Sequence, residues 1–163
     1  MEGFKLEWER LTPFIKNKKI ETVYFGGGTP SLMGSSAIGE ILEWINPSPS
    51  IEITLEANPE NITKELMKTY LDVGINRVSI GIQTLDNQLL KQIGRLHDAS
   101  KALNAVQDTF NAGIENISVD LMYDLPNQSL MMWENTLRQV INLPITHLSL
   151  YNLTIEPHTL FFK

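Results

Sequence analysis

Apolar residues recur along the chain with two spacings. Short runs at Ile20 to Phe25, Ile51 to Glu56, Arg77 to Ile82, Ile117 to Leu121 and His147 to Tyr151 have the length and composition of strands. Between them the apolar positions fall at helical intervals. Ile38, Ile41, Leu42 and Ile45 form one stripe, and Leu66, Met67, Tyr70 and Leu71 a second. Ala102, Val106 and Phe110 form a third, and Leu130, Trp133, Leu137, Val140 and Ile141 a fourth. Ser35 or Ser36, Thr63, Asp86, Asp98 and Ser129 stand where helix caps belong, with Glu65 in a first turn. Gly74, Gly94 and Gly113 stand at the stops, and Pro47 and Pro49 close the first of these helices. Upstream, Phe4, Trp8, Leu11 and Ile15 mark one more helix, which Pro13 is expected to break.

An internal echo gives the order of these elements a meaning. Leu71-Asp-Val-Gly-Ile-Asn-Arg-Val-Ser-Ile-Gly81 aligns with Phe110-Asn-Ala-Gly-Ile-Glu-Asn-Ile-Ser-Val-Asp120. Both segments run helix, glycine, isoleucine, polar pair, strand. The unit is an α-to-β step repeated around a parallel sheet, so the expected fold class is α/β. Right-handed crossovers then allow a barrel or an open doubly wound sheet.

The polar residues gather where the strands end. The first strand runs into Gly26-Gly27-Gly28-Thr29-Pro30-Ser31. Three glycines in a row suit a tight turn or a ligand close to the backbone. No Gly-Lys-Ser/Thr signature follows, which argues against a nucleoside triphosphate loop. The later strand ends carry Glu56 and Asn58, Gln83, Asp120 and Tyr123, then Tyr151 and Asn152. Each of these has an ordinary reading as a turn or a satisfied polar group. Together on one rim they favour a ligand site, because parallel α/β sheets place chemistry at strand C-termini. Arg95 is close enough to that rim to clamp a carboxylate. His97 and His147 lack the spacing of a metal-binding pair.

Charge and composition narrow the partners. The net charge of −6 argues against nucleic acid held by a basic surface and against a polybasic membrane contact. No apolar run has the length of a membrane span. The absence of cysteine removes disulfides and thiolate metal sites from this chain and is compatible with a reducing, cytoplasmic setting.

The motifs also carry a family resemblance. Gly26-Gly-Gly-Thr-Pro-Ser31, Leu55-Glu-Ala-Asn-Pro59, Ser79-Ile-Gly-Ile-Gln83, Gly94-Arg-Leu-His-Asp98, Asp120-Leu-Met-Tyr123 with Leu125-Pro126, and Leu148-Ser-Leu-Tyr151 occur in order. Together they resemble the radical S-adenosylmethionine (SAM) family, in its branch of oxygen-independent coproporphyrinogen III oxidases and HemW haem chaperones. The resemblance implies that Gly27, Gly28 and Thr29 hold the methionine end of SAM, with Glu56 near its amino group and Arg95 on its carboxylate. It implies Gln83 and Asp120 on the ribose hydroxyls, and the segment after Tyr151 beside the adenine. Gly94 to Asp98, and Ile155-Glu156-Pro157 with Thr159-Leu160-Phe161, resemble the haem-chaperone branch more than the oxidase branch.

Two departures shape the expectation. Asp124 stands where the family has glycine before Leu-Pro, and the family's three-cysteine cluster motif is absent. The resemblance therefore implies that 1–163 is an internal piece of one radical SAM barrel. It would lack the first strand with its [4Fe-4S] loop and the C-terminal domain, and would be inactive alone. Haem would belong to the parent protein, and open sheet edges would favour self-association. A true oxidase fragment and an unrelated phosphate-binding βα barrel are the alternatives. The latter is disfavoured because no basic residue lies between Thr22 and Thr63.

Overall fold

The structure is a computed structural model that describes residues 1–154. Five strands form a single sheet: β1 (Thr22–Phe25), β2 (Glu52–Ala57), β3 (Arg77–Gln83), β4 (Asn116–Tyr123) and β5 (His147–Asn152). Their spatial order is their chain order, and every neighbouring pair is parallel. Helices precede and separate them: α1 (Glu2–Ile15), α2 (Ser35–Ile45), α3 (Lys64–Asp72), α4 (Asn87–Gln92), α5 (Ala99–Asn111) and α6 (Leu130–Val140). When every crossover has one hand and every step moves the same way, the helices collect on one face. The result is an open arc with its strands in chain order, the barrel-type one of the two arrangements that the repeated unit allowed.

The two faces of the sheet differ in composition. Register partners in a parallel ladder share a face, and alternate residues along each strand point to opposite faces. On the helix side lie Leu55, Val78, Ile80, Ile117, Val119 and Leu121, all inaccessible to solvent. Met67 and Tyr70 of α3 and Ala102, Ala105 and Val106 of α5 close over them. On the other side the same strands present Tyr24, Thr54, Glu56, Ser79, Ser118, Asp120 and Ser149. Arg77 and His147 share this face and bond to them: Ser118 Oγ lies 2.8 Å from His147 Nδ1, and Arg77 Nη1 donates to Thr54 Oγ1 at 3.3 Å. Polar groups so disposed need no helix over them.

The caps at Thr63, Asp86, Asp98 and Ser129 form as expected, each accepting from an amide one turn into its helix. Other expectations need correction. Pro13 does not break α1, because only Phe14 and Ile15 follow it and the lost bond falls in the final turn. That helix buries no residue and is fastened by Trp8 Nε1, which donates to Trp44 O at 3.1 Å. Neither Ser35 nor Ser36 caps α2. Gly34, at φ 83, takes the cap position and both serines fall inside the helix. Phe110 is 40% exposed because α5 turns Ala105 and Thr109 inward instead. On α6 the buried residues are Thr136 and Val140, whereas Leu130 and Ile141 face outward. The segments Ile155 to Pro157 and Thr159 to Phe161 lie outside the described residues.

Candidate functional site

At the C-terminal end of the sheet lies a cleft of about 300 Å³. It is lined by Gly28, Thr29, Glu56, Gln83, Arg95 and Asp120 among the residues expected from sequence. Asn58, Ser79, Gly81 and Tyr151 line it as well. The topology brings them together, since a parallel sheet in chain order delivers five strand ends to one rim.

The glycine loop is organised by Glu56. One carboxylate oxygen accepts from the Tyr24 hydroxyl at 2.7 Å, and the other accepts from the Gly27 amide at 2.9 Å. Gly27 thus joins the site through its backbone rather than by lining the cleft. Gly27 and Gly28 have φ of 83 and 60, where side chains are disfavoured. Gly26 answers a different demand. A Cβ there would stand 2.6 Å from Cε1 of Tyr24, whose ring crosses the loop to reach Glu56. The Tyr24 hydroxyl is held protonated well above the usual phenol range. Local burial is the main cause, followed by the bond to Glu56 and by its charge.

Arg95 reaches the glycine loop through Asn58. Arg95 Nη1 donates to Asn58 Oδ1 at 3.3 Å, and Asn58 Nδ2 donates to Thr29 Oγ1 at 3.3 Å. This chain ties three separated loops into one wall and leaves the guanidinium on the cleft. Gln83 enters from the end of β3. The ladder to β4 pairs Ile80 with Val119 but Gln83 with Leu121, so three steps on one strand match two on the other. This is a β-bulge, a device that re-aims a side chain. Gly81 accommodates it: a Cβ there would sit 2.9 Å from Gln83 Nε2. The Gln83 side-chain amide has no hydrogen-bond partner among the described residues.

Asp120 occupies the next strand. Ser79 Oγ donates to its carboxylate at 3.1 and 3.2 Å. Burial raises its pKa above the ordinary carboxylate value. Bonds from Ser149 and Ser79 pull it back, while the charge of Glu56 pushes it up further and Arg77 lowers it. The cleft thus holds two carboxylates, one guanidinium and an unpaired amide. Such a set suits a ligand carrying both a cationic and an anionic end.

Sequence reasoning placed Asn58 and Tyr151 at strand ends without giving either a role. It gave none to Tyr24, Ser79 or Gly81. The alternation Arg77-Ser79-Gly81 on β3 was the available signal for the latter two.

A family model for the radical SAM superfamily matches residues 5–140. The chain belongs to the radical SAM superfamily. This radical SAM chain is 39% identical over 165 residues to heme chaperone HemW of Haemophilus influenzae, a match covering 99% of the chain and 43% of the relative. It is 38% identical over 152 residues to heme chaperone HemW of Escherichia coli, covering 91% and 40%. The chain therefore spans less than half the length of these curated relatives. Among solved structures it is similar to coproporphyrinogen III oxidase (HemN) from Escherichia coli, a radical SAM enzyme. The TM-score is 0.84 at 23% identity, covering 93% of this chain and 36% of that one. This likeness shows a shared fold.

Proposed function

We propose that the cleft binds S-adenosylmethionine, and that the chain is the SAM-binding part of a haem-handling protein of the HemW kind. The observation that carries this reading is the convergence of Arg95, Glu56, Gln83 and Asp120 with the glycine loop on one small-molecule-sized cleft. SAM has a carboxylate, an ammonium, a sulfonium and a ribose diol. Arg95 would take the carboxylate, and Gly27, Gly28 and Thr29 would lie along the methionine portion. Glu56 would face the ammonium with the lone pairs that Tyr24 and Gly27 leave free. Gln83 and Asp120 would hold the ribose hydroxyls, the first through its unpartnered amide. Two carboxylates on the wall make the cleft a poor host for a phosphate, which disfavours the unrelated phosphate-binding barrel.

The residues that fit SAM do not extend to an iron–sulfur cluster. The sequence has no cysteine, so no thiolate of this chain can hold one. In the family that cluster supplies the electron for SAM cleavage. The residues here bind and orient. Arg95 fixes the carboxylate bidentately, and the Glu56 bonds hold the glycine loop in place. The proposed piece, 1–163 of one barrel domain, is inactive alone and works within a longer cytoplasmic protein that handles haem. The HemW relatives at 38% and 39% identity support this branch over the oxidase.

The outer edges of β1 and β5 are unpaired among the described residues, which supports self-association by edge pairing. Titration calorimetry with SAM, alongside light scattering, tests both statements. Saturable binding in about the millimolar range is expected, because roughly 4 kcal/mol is available without the cluster. Glu56→Ala and Asp120→Ala should abolish it, and the scattering mass should rise with concentration. A stable monomer that takes up SAM equally well in both variants would overturn the reading.

A further inference from the structure

The carbonyl of Ile82, at the end of β3, receives two donors. One is the Thr84 amide at 2.9 Å, which closes a three-residue turn around Gln83. The other is Nε2 of His97 at 3.2 Å. Gln83 at the centre of the turn has φ 69. A γ-turn with positive φ is the rare, strained form, and a non-glycine residue stays in it only when its surroundings fix it. The bulge in β3 supplies the extra residue that the turn uses, and His97 supplies an anchor.

The His97 side chain is wholly buried, and its Nδ1 lies 3.1 Å from Glu60 Oε2. A carbonyl oxygen only accepts, so Nε2 carries a hydrogen. The contact between Nδ1 and the carboxyl group then holds one shared proton. Both ring nitrogens are engaged, which fixes the ring in orientation as well as in place. Glu60 sits in the short 3-10 turn Pro59–Asn61 after β2, two residues beyond the cleft residue Asn58. His97 follows Arg95 by two residues on a different loop. The pair therefore fastens one wall of the cleft to the turn that carries Gln83.

We propose that His97 and Glu60 are positioning residues for Gln83. They hold the strained turn that aims the Gln83 amide into the cleft. Neither residue lines the cleft, so they act through Gln83. The consequence for affinity rests on the SAM reading of the cleft, whereas the consequence for the turn does not. A buried histidine with a purely structural role would stabilise the fold at large. A positioning pair acts on one turn and on the ligand that this turn touches.

The test uses the whole chain, ¹⁵N-labelled, as wild type and as Glu60→Ala, His97→Phe, Gln83→Ala and the double variants that combine Gln83→Ala with each of the first two. Without ligand, exchange of the Thr84 amide should quicken by roughly tenfold in Glu60→Ala and His97→Phe, and the Gln83 side-chain resonances should broaden. SAM affinity, read by calorimetry, should fall by roughly tenfold in both variants. In the Gln83→Ala background neither substitution should lower it further. Glu60 is partly exposed, so Glu60→Ala decides the matter if His97→Phe fails to fold. Unchanged Thr84 exchange in folded Glu60→Ala, or affinity losses that add to that of Gln83→Ala, would overturn the proposal. If the turn responds but wild type takes up no SAM, the positioning pair stands and the SAM reading of the cleft falls.

Discussion

The two faces of the sheet are built from the same strands, residue by residue in alternation, yet they obey different rules. On the helix side Leu55, Ile80 and Val119 are sealed among α3 and α5. Their contribution is non-directional and scales with the area removed from water. On the open side Tyr24, Glu56, Ser79 and Asp120 hold one another through hydrogen bonds that depend on angle and charge. One face sets whether the chain folds, and the other sets what the folded chain can hold. Because alternate residues serve each face, a substitution at one position leaves its neighbours' task largely untouched.

The sharpest way to break this division is on the sealed side. Ile80→Ala removes a fully buried side chain from the centre of the sheet and should destabilise the fold by about 2–5 kcal/mol. Urea denaturation measures the loss. The fraction still folded should bind SAM with unaltered affinity. Weakened binding by that fraction would show that the two faces are not separable.

A smaller effect is expected from Tyr24→Phe on the open side. It deletes the phenol that holds Glu56 and so loosens the glycine loop. The cost to stability should be at most about 1 kcal/mol, since Tyr24 is more than half exposed. Amide exchange at Gly27 should quicken more than exchange at Ile80. A uniform rise across both faces would contradict the local role assigned to this bond.

The smallest effect on stability, and the only one with a pH signature, belongs to Asp120→Asn. The folded pKa of Asp120 lies above its ordinary value, so the folded state holds its proton more tightly than the unfolded chain. Stability from this source is complete below about pH 4, near the unfolded carboxylate value, and is lost as pH rises through the folded pKa. At neutral pH the buried charge opposes folding. Thermal melts should therefore show the variant gaining on wild type as pH increases, while its affinity for SAM declines. A constant offset across pH would mean that the charge is not the cause.

Much of this was legible in the sequence, for reasons that particular residues make plain. The strand starts were readable because short apolar runs stand between capping residues such as Thr63, Asp98 and Ser129, all of which do cap. The rim was readable because repeated βα units deliver every strand end to one side, so Glu56, Gln83 and Asp120 could be grouped without coordinates. What stayed hidden depends on distance between strands. Tyr24 reads as one more apolar strand residue until Glu56 is seen 2.7 Å away. His97 reads as a loop residue until its ring is found buried between Glu60 and Ile82. The outward turn of Leu130 and Ile141 was hidden because a helical stripe gives a period but not which part of it meets the sheet.

The bulge in β3 bears on how such chains change length. Upstream of it, β3 and β4 keep step, Ser79 with Ser118 and Ile80 with Val119, and the two echoing segments align without a gap. Beyond it, the strands no longer count alike. Removing Ile82 would restore an unbroken ladder, leaving residue 83 opposite Leu121 but turning its side chain to the helix side, where Ile82 is now buried. Pairing would become regular, but the core would exchange a wholly buried isoleucine for a polar amide, a loss of the same kind as that from Ile80→Ala. The cleft would lose its amide. A one-residue deletion here is thus costly on both faces, and the length of this short segment is held by the sealed core as well as by the cleft.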